Sequence, residues 1–128
     1  MRDWIARHYR YVPGTSTAST TAIDSFVERR GVCRDFAHTM LCFARAAAIP
    51  ARFASGYAPG VKPQDFHAVA EVWLIDGDGN GGWHVVDATG MADAASFARI
   101  AVGRDAGDAS FLTSYGPAEL IEMTIRVD

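Results

Sequence analysis

The chain has 128 residues, which is close to the size of one domain and too short for two. Hydrophobic residues make up 49% of it and charged residues 21%, a composition that is typical of a protein with a buried core and excludes a disordered chain. The formal net charge is −3 and the basic residues form no run, which argues against a surface for nucleic acid or for an anionic membrane. We therefore expect one folded domain over residues 1–128.

The sequence carries no sign of membrane insertion or secretion. No apolar run approaches the roughly 18 residues that a membrane-spanning helix needs, and the first residues lack the apolar stretch of a signal peptide. The two cysteines, Cys33 and Cys42, would lie about 13 Å apart along a shared helix, too far for a disulfide. We therefore expect reduced thiols and a cytoplasmic protein. Because the chain opens within a helical pattern, it could also be part of a longer protein.

The first half of the chain is predicted to be helical. Apolar and aromatic residues recur at helical spacing from Trp4 to Tyr9, and Pro13-Gly14 breaks the pattern. A second helix is expected after Thr21, which can cap it together with Asp24 three residues later. The predicted apolar stripe of this second helix consists of Ile23, Phe26 and Val27.

The longest helical pattern runs from Cys33 to about Ala48 and stops before Pro50. It is predicted to be the central, largely buried helix. Beyond it the periodicity changes, and strands are expected over residues 51–57, 66–75 and 83–88, with a short strand at 99–102 and a closing strand at 119–127. Helices followed by a mostly antiparallel sheet make the predicted fold class α+β, with the long helix packed on the sheet.

Cys33 lies just after a Gly-Val turn, in the first turn of the longest predicted helix. Unpaired backbone N–H groups and the positive end of the helix dipole favour an anion there, and a thiolate is such an anion. The same N–H groups can hold a developing oxyanion. This favours Cys33 as a nucleophile over the simpler interpretation of a buried, small apolar residue. Cys42, in mid-helix beside Phe43, fits that simpler interpretation.

A nucleophilic cysteine needs a base, and the sequence offers four histidines. His8 lies on the first predicted helix, and His38 is rotated away from Cys33 on the helix that both share. Neither is well aimed. His67 opens the longest predicted strand, and His84 lies on the next one.

The alternation of side chains in a hairpin favours His67. A register centred on Gly77 places Asp87 directly opposite His67 and on the same face of the sheet. His84 lies three residues before Asp87, so its side chain points to the other face of the sheet. It is expected to be a partly exposed histidine there.

Four ordered blocks of the sequence carry motifs. They are Gly31–His38 (GVCRDFAH), Ile49–Tyr57 (IPARFASGY), His67–Trp73 (HAVAEVW) and Trp83–Thr89 (WHVVDAT). In this order they resemble the bacterial transglutaminase-like (transglutaminase-core) domain family of the papain-like cysteine peptidase superfamily. Val102–Asp105 (VGRD) resembles the tail of that family. The resemblance extends over nearly the whole chain.

The resemblance implies a papain-like α+β core with a catalytic triad. Cys33 would be the nucleophile, His67 the general base and then acid, and Asp87 the group that orients the imidazole. Attack on a peptide or protein amide would give a thioester, which water resolves in a peptidase or amidase and an amine resolves in a transglutaminase. No metal or organic cofactor is implied. The sequence departs from the family pattern in Ala88-Thr89, where Pro-Thr is expected, and in a longer connection between His67 and Asp87.

Two alternatives stay open at the level of sequence. The first is a catalytically inactive domain of the same fold that binds a peptide or a partner. The second is calcium binding, because Asp76-x-Asp78-x-Asn80-Gly81, with Asp87 in the twelfth position, nearly matches a calcium loop. The twelfth ligand should however be glutamate, and a polar hairpin tip explains the same residues. The cysteine and histidine spacings do not match a zinc site.

Other residues near these motifs have two interpretations each. Arg34 and Asp35 could tune the thiolate, or they could form an exposed ion pair in the first turn of the helix. Four aromatic residues could line a substrate groove or donate to an oxyanion, or they could belong to the core. These four are Trp4, Tyr11, Tyr57 and Trp73.

Overall fold

The computed structural model describes residues 1–127, in which helices and short strands precede an antiparallel sheet. The helices are α1 (Arg2–His8), α2 (Ala22–Glu28) and α3 (Cys33–Ala46). The strands are β1 (Arg10–Tyr11), β2 (Arg30–Gly31), β3 (Ala51–Tyr57), β4 (His67–Ile75), β5 (Gly81–Val86) and β6 (Ala98–Gly103). None of the helices in this part of the chain is long and apolar enough to cross a bilayer.

Four strands form an antiparallel sheet in the order β5-β4-β3-β6, and α3 packs against β4 and β3. Residues from the helix and the sheet are buried together in one core. From α3 they are Phe36, Ala37, Met40, Leu41 and Ala44, and from the sheet they are Phe53, Ala68, Ala70 and Val72. The predicted α+β class, with the long helix on a mostly antiparallel sheet, is therefore confirmed.

The start of α3 is fixed by Asp35, which is 1% exposed. Its Oδ2 accepts a hydrogen bond from the backbone N–H of Val32 at 2.8 Å and so caps the helix. Gly31 makes room for this carboxylate, because a Cβ at that position would lie 2.5 Å from it. These contacts hold Cys33 at the tip of the helix.

A two-stranded parallel pair, which the sequence pattern did not predict, lies beside this tip. Tyr11 of β1 pairs with Gly31 of β2, two residues before Cys33. Strands of two residues are too short to produce a recognisable alternation of side chains. The pair connects the end of α1 to the turn that precedes the central helix.

The prediction for the second helix was right about its cap and wrong about its apolar face. Thr21 and Asp24 form the expected capping box. Ile23 and Val27, however, are 75% and 73% exposed, whereas Ser25 is buried. The reason is local, because Ser25 can face inward by donating its hydroxyl to the carbonyl of Thr21.

The predicted closing strand at residues 119–127 is not a strand in the structure. Its alternating sequence is compatible with an extended chain, but a strand also needs a hydrogen-bonded neighbour. The described sheet ends at β5 and β6, and neither pairs with this segment. The strands expected at 51–57 and near 66–75, 83–88 and 99–102 are present within two residues of their predicted bounds.

Candidate active site

Cys33 is the first residue of α3 and lies half-buried in the wall of a cleft of about 750 Å³. Residues of α3, of the sheet and of the segment after β6 also line this cleft. They include His38, Cys42, Phe53, Phe66, Arg104 and Ala109. The volume is within the range of pockets that hold small-molecule ligands, so a substrate group can reach the thiol.

His67 begins β4 and is 1% exposed. Its Nε2 lies 3.0 Å from Oδ2 of Asp87, so Nε2–H donates to the carboxylate and Nδ1 is left for the thiol. Burial alone lowers the pKa of an imidazole, but hydrogen bonds with Asp87 and with Cys33, and the charges of both, raise the pKa of His67 to about 9. The ring therefore lies between carboxylate and thiol and carries its proton at neutral pH.

Asp87 is held by its own loop, immediately after β5. Oδ1 accepts the backbone N–H of Thr89 at 2.8 Å, and Oδ2 accepts that of Ala92 at 2.7 Å. The Thr89 hydroxyl also contacts the carboxylate. Burial raises the pKa of this carboxyl, but the hydrogen bonds from His67 and Ala92 outweigh burial and lower it. The Ala88-Thr89 departure therefore leaves the carboxylate firmly anchored.

The structure brings Cys33, His67 and Asp87 together, but not through the predicted register. β4 and β5 pair Trp73 with Trp83, so the hairpin is centred on Asp78 and not on Gly77. His67 and Asp87 are consequently not directly opposite each other. Asp87 lies past the last residue of β5 and approaches the ring diagonally. The prediction that both side chains lie on the same face of the sheet was right. Moving the centre of the hairpin by one residue shifts the pairing of the two strands by two positions, which leaves each side chain on its face.

The other three histidines lie outside this contact. His84 is exposed on β5, as expected, and His8 is exposed on α1 with its ring stacked on Trp4. His38 lines the same cleft as Cys33. Its Nε2 accepts the backbone N–H of Ala106 at 3.1 Å, and its ring packs on Phe53. His38 therefore ties the segment after β6 to the central helix.

We expect acid to weaken this tie. Burial, followed by the charge of Arg34, lowers the pKa of His38 below 6.5, so the neutral ring is the form that accepts from Ala106. Its contribution to folding is then complete above about pH 6.5 and lost as the pH falls below that value. Urea unfolding at pH 7 and pH 5 should show a larger loss of stability for the wild type than for His38→Gln. Equal losses in the two proteins would contradict this assignment.

One of the two interpretations of Arg34 and Asp35 was wrong, and so was the prediction for Cys42. Arg34 and Asp35 do not form an exposed ion pair, because Asp35 is buried and its Oδ1 accepts the Ser16 hydroxyl at 2.9 Å. Arg34 Nε lies 3.8 Å from Asp35, and its Nη2 donates to Ser16 and to the Thr17 carbonyl. Cys42 was expected to be buried but is exposed and lines the cleft.

A buried carboxylate on β4 was not predicted from the sequence. Glu71 is 1% exposed and binds two arginines, with Oε2 at 2.6 Å from Arg52 Nε and Oε1 at 2.7 Å from Arg99 Nη1. The Arg52 guanidinium also lies over the Trp83 ring, 4.1 Å from its centroid. An acidic residue inside an apolar strand was the available signal, since such a residue must be paired when buried.

The calcium alternative receives no support from the hairpin tip. Asp76 Oδ1 accepts the N–H groups of Asp78 and Asn80, so its carboxylate closes the turn itself. Asp87, the twelfth residue of the motif, binds His67. Across residues 1–127 no group of three or more histidine, cysteine or acidic side chains is arranged to hold a metal ion.

Of the four aromatic candidates, Tyr11 interacts with the thiol residue: burial and the charge of Cys33 raise the pKa of Tyr11 to about 12. Trp4 packs against other aromatic rings near α1, Tyr57 against Phe66, and Trp73 against Trp83.

A family model decides the relationship of this chain to known proteins. The model of the transglutaminase-like superfamily matches residues 1–88, a range that contains Cys33, His67 and Asp87. The chain belongs to the transglutaminase-like superfamily. The resemblance inferred from the four sequence blocks is thereby confirmed, as is the papain-like α+β fold of this superfamily.

Several bacterial proteins are similar to this chain. A crystal structure of a candidate cysteine protease from Cytophaga hutchinsonii matches with a TM-score of 0.78 and 43% sequence identity, covering 85% of this chain and 36% of that one. An uncharacterised protein of Mycobacterium leprae is 31% identical over 114 residues, which are 82% of this chain and 39% of the relative. An uncharacterised protein of Mycobacterium tuberculosis is 32% identical over 101 residues, which are 70% of this chain and 32% of that protein. This chain thus spans less than two fifths of the length of each relative. Membership of this family makes a thiol-dependent enzyme the general expectation.

Proposed function

We propose that the chain carries out thiol-dependent acyl transfer at amide bonds, with Cys33, His67 and Asp87 as its catalytic triad. The observation that carries the proposal is the buried His67 ring, whose Nε2 lies 3.0 Å from the Asp87 carboxylate and whose pKa is raised by its interactions with Asp87 and Cys33. The substrate is a peptide or protein whose amide serves as acyl donor. The relationship to a candidate cysteine protease supports hydrolysis as the outcome.

The first half of the reaction forms a thioester. The Cys33 thiolate attacks the amide carbonyl carbon, and the new C–S bond gives a tetrahedral intermediate whose oxygen is negative. The C–N bond then breaks, and the His67 imidazolium gives its proton to the leaving amine. A His67 pKa of about 9 keeps this acid protonated at neutral pH. Asp87 holds the ring by accepting from Nε2–H, which leaves Nδ1 on the side of the thiol.

The second half releases the acyl group. Water or a primary amine attacks the thioester carbon while neutral His67 takes its proton, and the C–S bond breaks to restore the thiolate. Water gives hydrolysis, as in a peptidase or amidase, whereas an amine gives transamidation. The half-buried thiol opens to the cleft, so either nucleophile can approach it.

Alkylation by iodoacetamide at mildly acidic pH tests the proposed ion pair. The Cys42→Ser variant reports Cys33 alone, and Cys33→Ser reports the exposed Cys42. We expect Cys33 to react at least about tenfold faster than Cys42, because its thiolate is stabilised by the helix tip and the imidazolium. His67→Ala should abolish that advantage. The matched control is His84→Ala, which removes an exposed histidine of β5 and should leave the rate unchanged.

The opposite result would favour the alternative from sequence. Equally slow labelling of both cysteines, with no effect of His67→Ala, would contradict the enzyme and support a catalytically inactive domain that binds a peptide or a partner. Where the advantage of Cys33 is found, cleavage of a peptide library with and without a primary amine distinguishes hydrolysis from transamidation.

A further inference from the structure

The cleft that contains Cys33 extends along one side of α3, from its first turn to its last. The other residues of α3 that line it recur three or four positions apart and therefore share that side of the helix. They are Arg34, His38, Leu41, Cys42 and Arg45. Because a helix rises 1.5 Å per residue, Arg45 lies about 18 Å along the helix axis from Cys33. The cleft is therefore long enough for an extended peptide of about five residues.

The charged residues of this cleft are mostly basic. Its apolar part includes the side chains of Phe53, Phe66 and Phe111. Three arginines and one aspartate also line it, whereas the chain as a whole has a net charge of −3. The charged lining residues are Arg34, Arg45, Arg104 and Asp105. The cleft thus has the opposite sign of charge from the rest of the chain, which favours an anionic ligand.

The three arginines differ in whether their charge is matched. Arg34 lies 3.8 Å from the buried carboxylate of Asp35, and Arg104 forms an ion pair with Asp108 at 3.0 Å. Arg45, by contrast, forms no ion pair with any residue that the structure describes. The unmatched positive charge therefore lies at the end of the cleft that is remote from the thiol.

The guanidinium of Arg45 is held in place by uncharged groups. Nε and Nη2 donate to the carbonyl of Ala51 at 3.3 and 3.1 Å, and Nη2 also donates to the carbonyl of Arg104 at 2.7 Å. These bonds do not use Nη1, which has two further hydrogens. Asp105, the aspartate of the lining, accepts the N–H of Gly107 at 2.8 Å. Arg45 is therefore a positioned cation with donors available to a ligand.

We propose that Arg45 is a specificity residue that binds a carboxylate of the substrate, about four or five residues from the amide that Cys33 attacks. This inference names acidic peptides as the substrate class of the proposed function and rests on that function. Arginine is well suited to the role, because its planar N–H groups match the two oxygens of a carboxylate. An acidic side chain and a peptide C-terminus both offer these oxygens.

A series of thiol-reactive peptides measures this distance without knowledge of the natural substrate. Each reagent carries a bromoacetyl group, a spacer of glycines and a terminal glutamate or glutamine amide. The Cys33 sulfur displaces bromide and forms a thioether, and a Cys42→Ser background removes the other thiol of the cleft. With three or four glycines, we expect the glutamate reagent to react about fivefold faster than the glutamine reagent. Without a spacer the two rates should be equal, because the carboxylate then falls short of Arg45.

Two further arms of the experiment identify the interaction. The ratio of the two rates should approach one in about 1 M salt, because salt screens an ion pair that borders solvent. A reagent that ends in glycine with a free carboxylate, compared with its amide, distinguishes a peptide C-terminus from an acidic side chain. Equal rates for every charged and neutral pair at every spacer length would overturn the proposal.

Variants of the arginines test the assignment to Arg45. Arg45→Met should bring the ratio close to one, and Arg45→Glu should reverse the preference so that a reagent ending in lysine reacts fastest. Arg104→Met is the matched control, because Arg104 lines the same cleft but is paired with Asp108. It should keep the ratio of the parent. An Arg45→Met protein that reacts more slowly with both reagents, at an unchanged ratio, would show a structural role only and overturn the proposal.

Failure of the proposed function has a different signature. In that case His67→Ala would leave the rate of the glutamine reagent unchanged, because Cys33 would not be activated. A ratio that still depended on spacer length and on Arg45 would then uphold the carboxylate site and overturn the enzyme. A fast, His67-dependent Cys33 with equal rates for both reagents would overturn the Arg45 proposal alone.

Discussion

Asp87→Asn should lower kcat/KM by about 10³ to 10⁴-fold while leaving the chain folded. Asparagine has nearly the same shape as aspartate, and its carbonyl can still accept the Thr89 N–H. Its NH₂ group is a donor and can accept neither the His67 Nε2–H nor the Ala92 N–H, both of which Oδ2 accepts now. The ring would therefore lose the partner that orients it. This loss corresponds to about 4 to 5.5 kcal/mol of transition-state stabilisation.

The pH profile of Asp87→Asn provides a second readout. The hydrogen bond and charge of Asp87 help to raise the pKa of His67 to about 9, so wild-type activity should fall as the pH rises through that value and the imidazolium is lost. Without the carboxylate, this alkaline limb should move toward lower pH. The rate is measured with a peptide selected from the library, and Asp93→Asn, on the exposed part of the same loop, serves as control. Retention of the wild-type rate within tenfold would contradict the assigned role.

Glu71→Ala should cost about 3 to 5 kcal/mol of the free energy of unfolding, the largest effect on stability that we expect. Glu71 is buried, and its two oxygens bind Arg52 of β3 and Arg99 of β6. Removal of the carboxylate leaves two guanidinium groups facing each other without a counter-charge. Arg99 is half exposed and can turn toward water, which places the expected cost at the lower end of the range.

Urea unfolding at neutral pH measures this loss, and Glu28→Gln is the matched control. Glu28 forms an exposed ion pair with Arg30 at 2.8 Å, and such pairs contribute little to stability. The control should therefore leave the unfolding midpoint nearly unchanged. If the two variants unfolded at the same urea concentration, the ion pairs of Glu71 would not contribute to the free energy of unfolding as their burial predicts.

The sequence predicted those helices and strands in which a periodic pattern extends over many residues. The 14 residues of α3 and the strands that follow it carry enough repeats to define an apolar face or an alternation. The seven-residue α2 does not, and there a serine took the inward position through a local hydrogen bond. The β1–β2 pair lies below the length at which any pattern exists. Tertiary contacts determine the structure of such short elements, and these contacts cannot be inferred from a single sequence.

The candidate site was predictable to a similar degree. Helix-tip chemistry indicated Cys33, and strand parity connected His67 with Asp87, because both arguments need only local geometry. The exact register was wrong, since loop closure by Asp76 set the centre of the hairpin. The interaction of Tyr11 with Cys33 and the pairing of Glu71 with Arg99 join residues far apart in the chain. Spacing within one sequence gives no measure of such distances.

The position of Asp87 after β5 separates the site from the tip of its hairpin. His67 opens β4, and the turn at Asp76 closes the far end, nine residues and about 30 Å away. Lengthening or shortening the glycine-rich tip would leave the imidazole and its carboxylate where they are, provided the ladder between them is kept. This end of the molecule can therefore accept inserted segments, such as a tag or a fluorophore, without touching the reacting groups.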